Sequence, residues 1–302
     1  MIKIKRIICP TDFSDFSQRA LDHAIALARW YDADVSVLHA IPRVLMPPEF
    51  YPYLQEPVTP DPEVRERALT ELGRFVHQAR EEGVATEIRL EEGDPVEEIL
   101  KLTERLAGDL IVMGTHGRRG FERWVLGSVA EKVLRLAKCP VLTVSMKPDV
   151  KDEPKKVLFK KILCPIDFSS GSIRALEFAL SLAEEANGKL TLLHVLESVF
   201  EVAGDMAALA VSDYRDYVER GARERLEQAV PAEARQWCEP EAVITSGRSY
   251  QKILKYARER DADLIVMGVQ GRSAVDLMLF GSTTQHVVRA AECPVLTIRS
   301  AN

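Results

Sequence analysis

The sequence predicts an α/β protein built as two tandem five-stranded parallel-sheet sandwiches. Three observations carry this. Short β-rich runs alternate with stretches of helical period, which implies a parallel sheet with right-handed crossovers. The alternation occurs twice: Asp-Leu-Ile-Val-Met-Gly at 109–114 recurs at 263–268, and Cys-Pro-Val-Leu-Thr at 139–143 recurs at 293–297. Finally, residues 110–113 form an unbroken apolar run, as expected of a strand covered on both faces.

The elements of the first half follow in order. Residues 6–9 read as a strand. Residues 17–30 carry Ala20, Leu21, Ala24, Ile25, Leu27 and Ala28 at helical spacing. Residues 35–40 are a strand. Residues 62–82 are predicted as one helix, with Asp61 as N-cap and Pro62 at the first helical position. A strand at 86–90, a helix at 95–105, the strand at 110–113, a helix at 128–137 and a strand at 141–144 complete the unit. The second half repeats the order. Cys9-Pro10-Thr11-Asp12-Phe13-Ser14 matches Cys164-Pro165-Ile166-Asp167-Phe168-Ser169, and Leu38-His39 matches Leu193-His194. Early pairs are offset by 155 residues and late pairs by 154. Copies this long are duplicated domains, expected at 1–147 and 157–302, rather than solenoid repeats. The polar, proline-punctuated stretch 147–156 reads as the linker. Residues 42–62 hold seven of the sixteen prolines and read as a surface loop or lid.

Composition narrows the function. The 302 residues carry 40 Lys and Arg against 46 Asp and Glu, a formal net charge of −6. Such a chain lacks the basic face that nucleic acid or an anionic membrane surface requires. No apolar run approaches the ~20 residues that span a bilayer. The apolar part of residues 1–10 is short for a signal peptide, and Asp12 follows at once, so a cytoplasmic protein is expected. Five cysteines with no C-x-x-C pair fit reduced thiols rather than a disulfide framework or zinc site. Cys9, Cys139, Cys164 and Cys293, flanked by apolar residues, read as buried small hydrophobes, and Cys238 as a loop thiol.

The chemistry concentrates after the fourth strand of each half. Gly114-Thr115-His116-Gly117, nine residues, then Gly127-Ser128 is matched by Gly268-Val269-Gln270-Gly271, nine residues, then Gly281-Ser282. Glycines directly after a buried strand let backbone approach a ligand. A Gly-Ser at a helix start offers free N–H groups, a hydroxyl and the positive dipole end. The same serines also open capping boxes, Ser128-Val129-Ala130-Glu131 and Ser282-Thr283-Thr284-Gln285, so a purely capping role stays open. With strand order 3-2-1-4-5, strand order reverses between strands one and four, where ligands lie in doubly wound sheets. Asp12 follows strand one and Gly114 follows strand four; Asp167 and Gly268 repeat this. The alternative for Asp12 is an acid stabilised by a helix dipole. His39 and His194, at a strand end, read as packing residues, and His116 reads equally as a phosphate contact or as a plain loop residue. Arg118, Arg119 and Arg123 fall in the first glycine loop, where Arg272 and Ser273 correspond to the first two.

The Pro10-Thr11-Asp12-Phe13-Ser14 turn, the strand ending Leu38-His39 and the spacing Gly-x2-Gly-x9-Gly-Ser resemble the ATP-binding branch of the universal stress protein family, once per half. The resemblance implies an adenine nucleotide alpha hydrolase-like sandwich in each half. It implies that Asp12 and the backbone of Ala40 hold the adenosine part, while Gly114, Gly117, Gly127, Ser128 and the Val129 amide hold ribose and phosphates. The matching positions are Asp167, Val195, Gly268, Gly271, Gly281, Ser282 and Thr283. The implied cofactor is ATP; Mg²⁺ could accompany it, and Asp12 could bind that ion through phosphate-bound water, although one carboxylate does not make a catalytic site. The last strands, at 141–144 and 295–298, would be edges in need of a partner. The resemblance implies an intramolecular pseudo-dimer, a possible homodimer of the whole chain and a regulatory protein partner. The expected function is regulatory nucleotide binding in the stress response. A slow ATPase or nucleotidyl-transfer enzyme is the alternative, although no phosphate-loop lysine motif and no nucleophile–base pair is found. An interaction scaffold with vestigial sites is a third reading.

Overall fold

The computed structural model describes residues 2–42, 61–116, 126–145, 159–197, 208–238, 240–269 and 281–299. The chain divides into two compact units that part between Val144 and Ser145. In the first, β1 (Arg6–Pro10), α1 (Asp15–Tyr31), β2 (Asp34–Ile41), α2 (Pro62–Phe75), α3 (His77–Glu81), β3 (Thr86–Glu92), α4 (Pro95–Arg105), β4 (Leu110–Gly114), α5 (Ser128–Leu136) and β5 (Val141–Val144) follow in turn. Its strands run parallel in the order β3-β2-β1-β4-β5. The second unit has β6 (Lys161–Pro165), α6 (Ser170–Ala186), β7 (Lys189–Leu196), α7 (Ala208–Ala229), β8 (Glu241–Ser246), α8 (Ser249–Glu259), β9 (Leu264–Gly268), α9 (Ser282–Ala290) and β10 (Val295–Ile298). Its order, β8-β7-β6-β9-β10, is the same arrangement.

The predicted alternation is therefore present twice, and its core is the apolar sheet centre. Ile7, Ile8, Ile111 and Val112 are wholly buried, as are Ile265 and Val266. The acid of the repeated Asp-Leu-Ile-Val-Met-Gly motif has a structural task at the amino end of the sheet. Asp109 Oδ2 accepts from the amides of Lys5 (2.8 Å) and Arg6 (3.0 Å), and Asp263 accepts from Lys160 and Lys161 (both 2.9 Å). Each carboxylate thus fastens the entry of the central strand beside its own.

Three local expectations are corrected. The helix expected over 62–82 breaks at Val76, a fully buried β-branched residue at φ −90°, ψ 2°, so it becomes α2 and α3. Asp61 does cap α2, accepting from the Glu63 amide at 3.0 Å. Helix α1 begins two residues earlier than expected, because Ser14 caps it by accepting from the Ser17 amide. Cys139, expected to be buried, is only half-buried, whereas Cys238 lies in a loop as expected and is buried there. The proline-rich stretch from residue 43 to 60 and the linker expected at 147–156 lie outside the described residues.

Candidate functional site

Both units place their chemistry at the carboxyl ends of the central strands. Strand β1 lies between β2 and β4, and β6 between β7 and β9, so the switch point falls where expected. Asp12 stands two residues beyond the end of β1 and Gly114 ends β4. Ala40 lies in β2 opposite Glu91, and Val195 in β7 opposite Thr245.

The acid turns are nearly identical. Asp12 Oδ1 accepts from the Ser14 amide (3.1 Å) and hydroxyl (2.6 Å); Asp167 Oδ1 accepts from the Ser169 amide (3.0 Å) and hydroxyl (2.6 Å). Neither acid belongs to the first turn of a helix. Each instead grips the serine that caps one, so the simple dipole reading of Asp12 does not describe its place. The intervening Phe13 and Phe168 have φ of 62° and 64°, a left-handed conformation uncommon for a bulky residue. In the first unit the Thr11 hydroxyl accepts from the Phe13 amide at 3.0 Å and donates to Ser17 Oγ at 3.0 Å. Ile166 stands in that place in the second unit and offers neither bond.

The glycines divide the work differently from the expectation. A Cβ on Gly114 would lie 2.8 Å from Phe16 Cβ and 3.1 Å from the Phe16 carbonyl carbon. On Gly268 it would meet the Gly171 carbonyl carbon at 2.7 Å and the Ser172 amide at 2.9 Å. On that face the missing side chain admits the first turn of α1 or α6, not a ligand. Gly127 and Gly281, rather than the serines after them, occupy the N-cap positions, and neither helix has a side-chain cap. The reason is steric and polar. The Gly127 amide donates to Thr115 O at 2.9 Å, and a Cβ there would approach that oxygen to 3.1 Å. Gly281 donates to Val269 O at 3.0 Å. The capping-box reading is corrected accordingly: Ser128 and Ser282 are the first helical residues. Intrahelical bonding begins only with the amides of Glu131 and Gln285. The amides of Ser128 and Val129, and of Ser282 and Thr283, therefore point out of their helix starts without an intrahelical acceptor. Such a helix end suits an anion.

In the second unit these parts surround one cavity of about 140 Å³. Asp167, Val195, Gly268, Gly281, Ser282 and Thr283 all line it, so six of the seven residues selected there from sequence converge. Its apolar walls include Ile166, Leu193, Ile253 and Met267. Three polar liners were not foreseen: Ser172, whose hydroxyl donates to Ser169 O at 3.0 Å, Thr284 and Ser249. Thr284 donates its hydroxyl to Gly268 O at 3.0 Å and ties α9 to the end of β9; Ala130 holds the matching position in the first unit. Ser249, replacing Pro95, donates to Glu197 Oε1 at 2.6 Å. The change of Gly93-Asp94-Pro95 to Gly247-Arg248-Ser249 was the visible sign of this second difference.

In the first unit, His116 packs on Phe16, with ring centroids 5.1 Å apart, and its Nδ1 lies 3.0 Å from Thr115 Oγ1. Its Nε2 is buried and has no hydrogen-bond partner among the described residues. Among the described residues this ring nitrogen has a hydrogen bond left to make. Gly117 and Gly271, and Arg118, Arg119, Arg123, Arg272 and Ser273, lie outside the described residues. Among those residues no group of three or more His, Cys, Asp or Glu forms a metal site, and no helix is long and apolar enough to cross a membrane.

Fold and site define a duplicated doubly wound α/β protein in whose second unit a helix start and the acid at the switch point line one cavity. Comparison with known proteins identifies the group. A sequence profile of the universal stress protein family matches residues 3–145 and again 158–299. The chain belongs to that family. It is 39% identical over 145 residues to universal stress protein MJ0531 of Methanocaldococcus jannaschii, spanning 46% of this chain and 81% of that one. It is 30% identical over 148 residues to universal stress protein YxiE of Bacillus subtilis, spanning 47% of this chain and all of the relative. The crystal structure of a universal stress protein from Archaeoglobus fulgidus matches with a TM-score of 0.69 and 26% identity, covering 99% of this chain and 100% of that chain.

Proposed function

We propose that this chain is a cytoplasmic, ATP-binding regulator of the stress response, with one nucleotide site in each of two domains, 1–147 and 157–302. The observation that carries the reading is the convergence of Asp167, Val195, Gly268, Gly281, Ser282 and Thr283 on one cavity. Chemically, the apolar walls suit an adenine ring and the Val195 backbone offers it hydrogen bonds. The Asp167 carboxylate suits hydroxyl or amine donors of adenosine. The Ser282 and Thr283 amides, at the positive end of α9, suit the phosphates. Asp12, Ala40, Gly114, Gly127, Ser128 and Val129 would act alike in the first unit, with Gly117 and Gly271 completing the loops. Magnesium would travel with the phosphates, since no cluster of protein ligands is available for it among the described residues. ATP bound in this way acts by favouring the conformation that binds it better, and so selects a partner protein.

Mass spectrometry of small molecules released from freshly purified protein tests the reading. An adenine nucleotide at a stoichiometry near one or two per chain is expected. Protein that releases none, and that takes up none at millimolar ATP, contradicts it.

A further inference from the structure

We infer that His39 and His194 are positioning residues, each holding the turn that presents Asp12 or Asp167 to its site. This rests on the nucleotide-site reading above and adds to it a pair of residues outside the ligand contacts. His39 Nδ1 lies 2.8 Å from the carbonyl oxygen of Thr11, and His194 Nδ1 lies 2.6 Å from that of Ile166. A carbonyl only accepts, so Nδ1 is the donor and the neutral ring is the Nδ1–H tautomer. The same imidazole packs against the residue on the other side of the acid. The ring centroids of Phe13 and His39 are 4.4 Å apart, and those of Phe168 and His194 are 4.8 Å apart. Each acid is therefore bracketed: the residue before it is held by the ring nitrogen and the residue after it by tilted ring contact.

The turn needs such a hold. A phenylalanine in the left-handed region is disfavoured and persists only when its surroundings determine it. The bonds from Ser14 to Asp12 and from Ser169 to Asp167 are shared by the units, whereas the contacts on the flanking residues differ. The Thr11 hydroxyl that receives the Phe13 amide has no counterpart at Ile166. Phe75 meets Phe13 edge-on at 5.9 Å, whereas the Arg225 guanidinium lies 3.9 Å over the Phe168 ring. The histidine and its two contacts are common to both. Position in the chain adds a further link. His39 immediately precedes Ala40, and His194 precedes Val195, so the residue that steadies the acid sits next to the backbone proposed to meet the adenosine.

The test uses the full chain carrying Asp167→Ala, which leaves the first site to be titrated alone with Mg-ATP by calorimetry. His39→Phe keeps a ring against Phe13 and removes the donor; His39→Asn restores an N–H donor near the place of Nδ1. His39→Phe is expected to weaken binding about tenfold with little change in melting temperature, and His39→Asn to recover most of that loss. Wild-type-like affinity in His39→Phe, or equal losses in both variants tracking a fall in melting temperature, overturns the inference. ¹⁵N NMR of the unmutated protein gives an independent reading: both histidines should carry the proton on Nδ1, and the Nε2–H tautomer overturns the inference. If the Asp167→Ala parent itself takes up no ATP, the nucleotide-site reading fails at that position. The tautomer then decides by itself whether the imidazole holds the turn.

Discussion

Two glycines of the second unit should respond to alanine with opposite sign, and the contrast follows from what a Cβ would meet. At Gly268 the added carbon would lie 2.7 Å from the Gly171 carbonyl carbon, 2.9 Å from the Ser172 amide nitrogen and 3.0 Å from the Gly171 oxygen. All three are backbone atoms of the start of α6, so no side chain can rotate away. Either α6 shifts or β9 bends, and overpacking of this kind costs about 1–3 kcal/mol. At Gly221, inside α7, nothing lies within 4 Å of the added carbon. There the alanine only removes backbone freedom from the unfolded chain, a gain of about 1 kcal/mol. For a domain of this size each kcal/mol moves the melting temperature by about 2–4 °C. Scanning calorimetry of the full chain should show Gly268→Ala melting several degrees lower and Gly221→Ala slightly higher than the parent. Equal stability for Gly268→Ala and the parent would refute the claim that this glycine exists to seat α6 on the sheet.

Further outcomes follow from single groups. Asp94 caps α4 by accepting from the amides of Val96 (2.9 Å) and Glu97 (3.1 Å), whereas Arg248 at the matching start of α8 makes no capping bond. Denaturant melts should show Asp94→Ala losing about 1 kcal/mol and Arg248→Asp gaining a similar amount. Burial holds the His23 imidazole down at about 4 from an ordinary 6.5. Above pH 6.5 the ring is neutral in both states and costs nothing. Between pH 6.5 and 4 the unfolded chain takes up a proton that the folded chain refuses, so stability falls as pH falls. The ring is only partly buried by surface area, so about 3 kcal/mol is a ceiling for the loss. His23→Gln should flatten this slope when melts are compared between pH 7 and 5. Asp22, whose burial acts with the opposite sign, is common to both proteins and drops out. Burial pushes the Cys9 thiol up to about 12. A disulfide reagent at pH 8 should leave Cys9 and Cys164 unmodified until the chain is unfolded.

What could be read from the sequence was whatever a local pattern determines. The helix at Pro95–Arg105 and the strand at Val141–Val144 match expectation to the residue, because an Asp-Pro start and a short β-rich run following a proline are local signatures. The repeat carried the duplication, and the acid and glycine motifs carried most of the candidate site. The failures are tertiary. Ser128 has the right neighbours for a cap, yet the Thr115 carbonyl takes the Gly127 amide and moves the cap back one residue. Gly114 reads as room for a ligand, yet Phe16 from a distant helix occupies the face that its missing side chain leaves. The left-handed Phe13 is illegible because phenylalanine does not advertise that conformation, and only a partner strand reveals that His39 braces it.

Calorimetric titration of the full chain with Mg-ATP, repeated with Asp12→Ala, Asp167→Ala and the double variant, bears most directly on the nucleotide sites. The arrangement of acid, strand backbone and helix-start amides predicts two binding events in the parent, one in each single variant and none in the double variant. Undiminished binding in the double variant, or no heat at millimolar nucleotide in the parent, contradicts it.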